Sequence, residues 1–399
     1  MANTGITTKD GDLTLNGVKL ASGGSADSTG LLVKDGELYL NGEAINAGGG
    51  DLDLQAARLL LPRYMDVVVG RQCDFFLDDY LDNPDNLDVR YSFPDNVGCA
   101  LYDRGHIRID SQTAGNFDLT VTTYAGDTVI GTPQTITIRK VARSGFSGTK
   151  NILIVGDSLV DYPSSMSPNP AQTYALLSDD GDVTINQIGT HNPHDSDPSY
   201  VDVNHEGYGG KTWAWFCGSE SPFYYNGGID FQAYMADNFP ALSGIDCCIV
   251  MLGTNDTYNT IETSSKRFID KLIADYPNCK VAVGIPPLGA SFNGVAKSSY
   301  YNKLIDECKL YLQLYDNGKY NPNVTCVGQG CWIDRENHYP HTDTTGTITP
   351  YDNNTLVTSR VFSDVTHPSQ YINNFYNPGY KQWGRAVYCK IRSWIAGNL

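Results

Sequence analysis

The sequence predicts a multidomain chain whose C-terminal part is a three-layer α/β domain, preceded by an immunoglobulin-like β-sandwich and a short β-repeat segment. Three observations carry this. Beyond about residue 150, short apolar runs alternate with helical patterns, the arrangement of a mostly parallel sheet covered by helices. Between residues 63 and 142 the pattern is instead short alternating strands broken by turn residues. The first fifty residues repeat themselves. A length of 399 residues agrees with more than one domain.

The repeat runs Thr4-Gly5, Lys9-Asp10-Gly11-Asp12-Leu13, Leu15-Asn16-Gly17 and returns as Thr29-Gly30, Lys34-Asp35-Gly36-Glu37-Leu38, Leu40-Asn41-Gly42. Asp-Gly before and Asn-Gly after an alternating strand is hairpin chemistry. A lone hairpin is marginal in water, and each unit has few apolar residues, so burial between chains is the natural remedy. Residues 1–50 are therefore expected to be an attachment or oligomerisation segment, the trimers of fibrous virion proteins being the pattern it fits; an unstructured leader is the alternative.

Residues 51–62, with Asp51–Leu61 closed by Pro62, form a short helix or connector. Residues 63–142 hold strands at Met65–Val69, Cys73–Leu77, Val89–Phe93, His106–Asp110, Phe117–Tyr124 and Thr135–Val141. Phe117, Leu119 and Val121 share one face. A spacer or a sugar-binding module fits such a sandwich. Arg143–Thr149, rich in Gly and Ser, is expected to be a flexible joint. Residues 143–399 then hold strands at Ile152–Val155, Val183–Ile188, Asp246–Leu252, Lys280–Ile285 and Val324–Val327, and helices at Ser264–Tyr276, Tyr300–Tyr315 and Gly379–Ala396. Ile269, Leu272, Ile273 and Tyr276 fall on one helical stripe.

Composition narrows the partners. Lys and Arg total 28 against 45 Asp and Glu, a formal charge of −17, which argues against nucleic acid and anionic membrane surfaces. No run is long enough to span a bilayer, and the N-terminus has no apolar signal core, so neither membrane insertion nor secretion by that route is expected. Ten cysteines lie scattered without metal-finger spacing and are read as reduced, buried thiols. Cys247 and Cys248, adjacent on a strand, would face opposite sides. His338 and His341 lack a convincing third ligand, so no metal or other cofactor is expected.

Four stretches of the C-terminal part carry chemistry. Asn151-Ile-Leu-Ile-Val-Gly-Asp-Ser158 is a buried-strand run that hands Ser158 to a turn at its carboxyl end, where open α/β sheets place ligands. His205-Glu-Gly-Tyr-Gly-Gly210-Lys-Thr-Trp213 has a glycine loop without the spacing of a phosphate loop. A plain turn is its simplest role; a backbone N–H aimed at a developing oxyanion is the functional one. Met251-Leu-Gly253-Thr-Asn255-Asp256 again puts polar residues at the end of an apolar strand, fit either to donate to an oxyanion or to cap the next helix. Ser363-Asp364-Val-Thr-His367-Pro368 sets an acid and an imidazole close enough to meet locally, leaving the other ring nitrogen for the Ser158 proton.

In this order the four stretches resemble the SGNH hydrolases, also called the GDSL esterase/lipase family, over roughly residue 150 to the end and no part of the first 149. The resemblance implies a flavodoxin-like α/β fold and a cofactor-free serine hydrolase. It implies Ser158 as nucleophile, His367 as general base and acid, and Asp364 as the group orienting His367. It implies an oxyanion hole of the Ser158 N–H, the Gly210 N–H and the Asn255 side chain. Gly210 is chosen over Gly209 because the family glycine precedes a hydroxyl residue by two, here Thr212. Asp157 and Asp256 are expected to shape the site rather than transfer protons.

Family habit, the modular β-region and the aromatic loops Trp213-Ala-Trp215-Phe216 and Phe223-Tyr-Tyr225 point to O-acyl, above all O-acetyl, esters of a polysaccharide or cell-surface glycan. No amphipathic lid for a lipase is evident. The overall layout resembles phage fibre proteins, with the enzyme mounted on a virion and acting outside the cell. The alternative function is a non-catalytic virion or surface adhesin that binds glycans through the same fold.

Overall fold

The computed structural model describes residues 57–82, 88–102, 105–110, 112–161, 169–191, 203–288, 299–333 and 378–399. It also describes the backbone of strands between 6 and 45, of 341–348 and of 352–362. The chain divides into two units, Met1–Gln55 and Ala56–Leu399.

In the first unit, each sequence repeat is a three-stranded antiparallel meander. The strands are Ile6–Lys9, Asp12–Leu15 and Val18–Ala21, then Leu31–Lys34, Glu37–Leu40 and Glu43–Ile45. Lys9 pairs with Asp12, and Lys34 with Glu37, so two residues of the sequence separate the paired positions in each repeat.

The second unit is organised by a parallel sheet. Its spatial order is Thr184–Ile188, Thr149–Gly156, Cys247–Met251, Lys280–Gly284, Val324–Val327. In chain order this is 2-1-3-4-5, the flavodoxin-like winding, which reverses direction between its first and third strands. Ile152, Leu153, Ile154 and Val155 are all fully buried, as a strand covered on both faces requires. A two-residue strand, Glu206–Gly207, adds to the end of Thr149–Gly156 and pairs with Val155 and Gly156.

Among the described residues six α-helices accompany the sheet: α1 Asn169–Asp180, α2 Trp213–Phe216, α3 Phe231–Asn238, α4 Tyr258–Asp275, α5 Ser299–Tyr315 and α6 Pro378–Ile395. α1 packs on α6, and α2, α3 and α5 pack on α4. α4 begins six residues ahead of the expected Ser264. Tyr258–Thr263 has one buried apolar side chain, Ile261, too little to mark a period in the sequence, and the turn at Gly253–Asp256 precedes its start. An antiparallel hairpin, His341–Ile348 with Asp352–Phe362, precedes α6 and was not foreseen; its threonine-rich strands carry little apolar alternation.

The β-region makes two sheets. One orders Tyr64–Val68, Thr128–Val141, Gly115–Ala125 and Asp88–Ser92, with the first pair parallel and the others antiparallel; the other is antiparallel Cys99–Leu101, His106–Ile109, Cys73–Phe76. Phe117, Leu119 and Val121 are buried while Asp118 between them is exposed, so the period-two pattern holds.

This region and the parallel sheet share one contact unit, tied by ion pairs. Buried Asp66 accepts from Arg139 Nε at 2.7 Å and Nη2 at 3.0 Å, from Lys390 Nζ on α6 at 3.0 Å, and from Ser393 Oγ at 2.6 Å. Burial alone would raise its pKa, but Lys390 and Arg139 outweigh that and hold it below the ordinary value. Tyr80 donates to the Pro286 carbonyl at 3.1 Å. The expected flexible joint is corrected: Arg143 bonds Asp180 Oδ1 and Asp179 Oδ2, each at 2.8 Å, Phe146 N–H donates to Asp182 at 3.1 Å, and Arg392 of α6 bonds the Arg143 carbonyl. Glycine and serine there allow bending, but charged neighbours fix it. Of the two readings of residues 51–62, a short helix or a connector, the helix does not hold over the described part. Ala57–Pro62 is not helical, and buried Leu59 bridges Leu81, because three consecutive leucines are needed as core rather than as one stripe.

All ten cysteines are free thiols, nine of them buried. No described helix is long and apolar enough to cross a membrane.

Candidate active site

Two sequence motifs meet where the winding reverses, at the carboxyl ends of adjacent strands Thr149–Gly156 and Cys247–Met251. Here an open α/β sheet leaves a crevice. Ser158 is half-buried in a tight turn: Val160 N–H and Asp161 N–H both donate to the Asp157 carbonyl, at 3.0 and 2.9 Å, and Leu159 N–H donates to Asp157 Oδ1 at 2.9 Å. The turn is thus closed by the aspartate before the serine.

Asn255 comes from the next strand. Its Nδ2 donates to Asp157 Oδ2 at 3.1 Å and, more weakly, to the Lys211 carbonyl at 3.4 Å. One carboxamide therefore bridges the nucleophile turn and the glycine loop. Helix capping, the other expectation for this motif, is not its use. α4 begins after Thr257 with no side-chain cap, and Asp256 instead accepts from the Trp213 N–H at 3.1 and 3.2 Å.

The glycine loop is held by the sheet itself. After Glu206–Gly207 pairs with the nucleophile strand, Tyr208 N–H donates to the Gly156 carbonyl at 2.9 Å. Gly207 is needed for this approach, because a Cβ there would lie 2.6 Å from Val160 Cγ1. Gly209 N–H donates to Asp161 Oδ2 at 3.0 Å. Gly210 follows in a left-handed conformation with open space around it, and Lys211 N–H returns to the Tyr208 carbonyl at 3.2 Å.

Beneath the site lie three buried acids that the sequence did not reveal as a group. Burial pushes Asp157 up to about 7, only partly offset by the Leu159 N–H, and pushes Asp256 up to about 6 against the opposing Trp213 N–H and Lys303. Burial raises Glu307 of α5 as well, with Lys303 opposing. Glu307 explains Gly253: a Cβ there would sit 1.3 Å from Glu307 Oε1. Glu307 lies over fifty residues from that glycine, so no local spacing signals the contact.

The aromatic loops divide. Trp213, Phe216 and Phe223 are core, Trp213 Nε1 donating to Tyr311 at 2.6 Å. Trp215, Tyr208, Tyr224 and Tyr225 remain partly exposed. A sugar-facing role is thereby corrected for the first three, whose rings fill the space between α2, α3 and α4.

Asp364 and His367 lie outside the described residues, as does His338. Among the described residues no group of three or more His, Cys, Asp or Glu could hold a metal ion.

No protein-family model and no curated protein matches the chain. It is similar to several solved structures. A carbohydrate esterase family 3 protein from Talaromyces cellulolyticus is 15% identical over 63% of this chain and 100% of that one, with a TM-score of 0.39. A putative arylesterase from Agrobacterium tumefaciens str. C58 is 17% identical over 61% and 99%, at 0.34. Est24, a carbohydrate acetylesterase from Sinorhizobium meliloti, is 16% identical over 61% and 99%, at 0.32.

Proposed function

We propose that the chain is a serine esterase of the SGNH type that removes O-acyl groups, above all O-acetyl, from carbohydrate. The observation that supports it most is the meeting of Ser158, Asn255 and the Gly207–Gly210 loop at the reversal point of a 2-1-3-4-5 sheet. His367, oriented by Asp364, takes the Ser158 proton as Oγ attacks the ester carbonyl. The Ser158 N–H, the Gly210 N–H and an Asn255 N–H receive the oxyanion. Gly209 has given its N–H to Asp161, so Gly210 is the glycine the loop offers. For Asn255, the oxyanion replaces the long bond to Lys211, while the bond to Asp157 keeps the amide aimed. The tetrahedral adduct collapses, the sugar oxygen leaves with the proton from His367, and water, deprotonated by His367, releases acetate.

Carbohydrate is supported by the partly exposed Tyr208 and Trp215, which flank the glycine loop with ring centroids 5.2 Å apart and offer aromatic surface to a sugar. The N-terminal meanders, short and poor in apolar residues, fit an oligomerising attachment segment of a virion fibre, acting on a cell-surface glycan. The test is acetate release from acetylated polysaccharides and p-nitrophenol release from its acetate ester. Wild-type protein is expected to be active on both, and Ser158→Ala to lose at least about 10³-fold. Equal activity of the two proteins would remove the mechanism.

A further inference from the structure

We propose that Asp161, with His191, is a positioning residue for the oxyanion hole: its carboxylate fixes the Gly209 amide so that the following Gly210 N–H faces the acyl oxygen. The inference rests on the esterase reading and adds to it a residue that no motif assigns.

Asp161 sits three residues after Ser158, on the same turn, its own N–H bound to the Asp157 carbonyl at 2.9 Å. Its side chain bonds both the glycine loop and His191. Oδ2 accepts from Gly209 N–H at 3.0 Å, and Oδ1 meets His191 Nε2 at 3.0 Å. One residue therefore joins the nucleophile turn to the glycine loop. His191 is itself anchored: its backbone exchanges both hydrogen bonds with His205, each 3.1 Å, just ahead of the glycine loop, and its ring lies 4.7 Å from that of Tyr208. Asp161, His191, His205 and Tyr208 thus form one linked frame beside the exposed Gly209.

Flexibility makes this frame necessary. Two consecutive glycines, the second at φ +73°, give a loop that backbone preference alone leaves loose. Oxyanion donors act through prior placement, and a shift of the order of 1 Å costs about 10²-fold. A carboxylate is the right anchor, since an ionised acceptor holds an N–H more tightly than a neutral one. Burial raises the Asp161 pKa, but the His191 bond and charge and the Gly209 N–H outweigh it, so the side chain stays ionised.

The test compares wild type, Asp161→Ala and Asp161→Asn in the full chain. Active sites are counted by burst titration, and the substrates are p-nitrophenyl acetate and the phosphorylating agent diethyl p-nitrophenyl phosphate. Asp161→Ala is expected to lose about 10- to 100-fold in kcat per titrated site with KM within about twofold. Its phosphorylation rate should fall in parallel, because that reaction uses the same donors. Asp161→Asn still accepts from Gly209 and should lie within about fivefold of wild type. A merely structural residue would lower the titrated fraction and the melting temperature while leaving kcat per site unchanged. That outcome, or Asp161→Asn as impaired as Asp161→Ala, overturns the proposal. Wild type that neither turns over the ester nor titrates removes the esterase reading, and this inference with it.

Discussion

Asn255 divides one amide between two tasks, a firm bond to Asp157 and a longer one to Lys211. Asn255→Ala is therefore expected to lower kcat by about 10²–10³-fold, the usual effect of deleting one oxyanion donor. Steady-state kinetics on p-nitrophenyl acetate would check it, and an unchanged kcat would take Asn255 out of the site. At this scale the motifs were legible. Gly-Asp-Ser and Gly-x-Asn-Asp each fall at the end of an apolar strand, the glycine loop follows the two-residue strand Glu206–Gly207, and the structure brings these three together. Asp161 and His191 were not legible, because they are thirty residues apart and belong to no recurring spacing. The same holds for Glu307 under Gly253: such contacts arise only when the sheet is wound.

Helix α5 contributes a buried acid to the floor of the site, and that has a pH signature. Burial raises the Glu307 pKa, so the folded protein keeps a proton that the unfolded chain releases. For a raised carboxyl, the stabilising contribution is whole below the unfolded pKa and is lost as pH rises through the folded one. Glu307→Gln, permanently neutral, should match wild type in melting temperature near pH 4 and exceed it increasingly toward pH 9. A difference that stays constant across thermal melts in that range would contradict the assignment. Asp157 and Asp256, raised to about 7 and about 6, push wild type the same way. Elements with strong periodicity were legible. The run Ile152–Val155 and the stripe of α4 sit where expected, whereas the start of α4 and the hairpin before α6 depend on turns and threonines with no clear apolar period.

At the scale of the molecule, the parallel sheet and the β-region are joined by charge as well as by apolar contact. Removing Asp66 takes from buried Lys390 and Arg139 the carboxylate they share and leaves them the Leu399 oxygen, at 3.2 and 2.7 Å. Asp66→Ala should cost about 3–5 kcal/mol, the penalty for one partner of a buried pair. Calorimetry should show one cooperative transition for residues 56–399, lowered by several degrees. Two separate transitions, or no shift, would mean the parts are independent. Composition boundaries at Arg143 marked where the pattern of the chain changes. They could not show that arginines on either side reach across the change, since long-range ion pairs leave no local trace.

The Asp66 knot also bears on the order of events as the chain is made. Asp66 leaves the ribosome 324 residues before Lys390 and 327 before Ser393, the groups that complete its pairing. Contacts of such sequence separation are slow to form. The β-region must therefore wait, its ionic seam half-closed, until α6 exists. Synthesis of α6 is then the step that seals both layers at once.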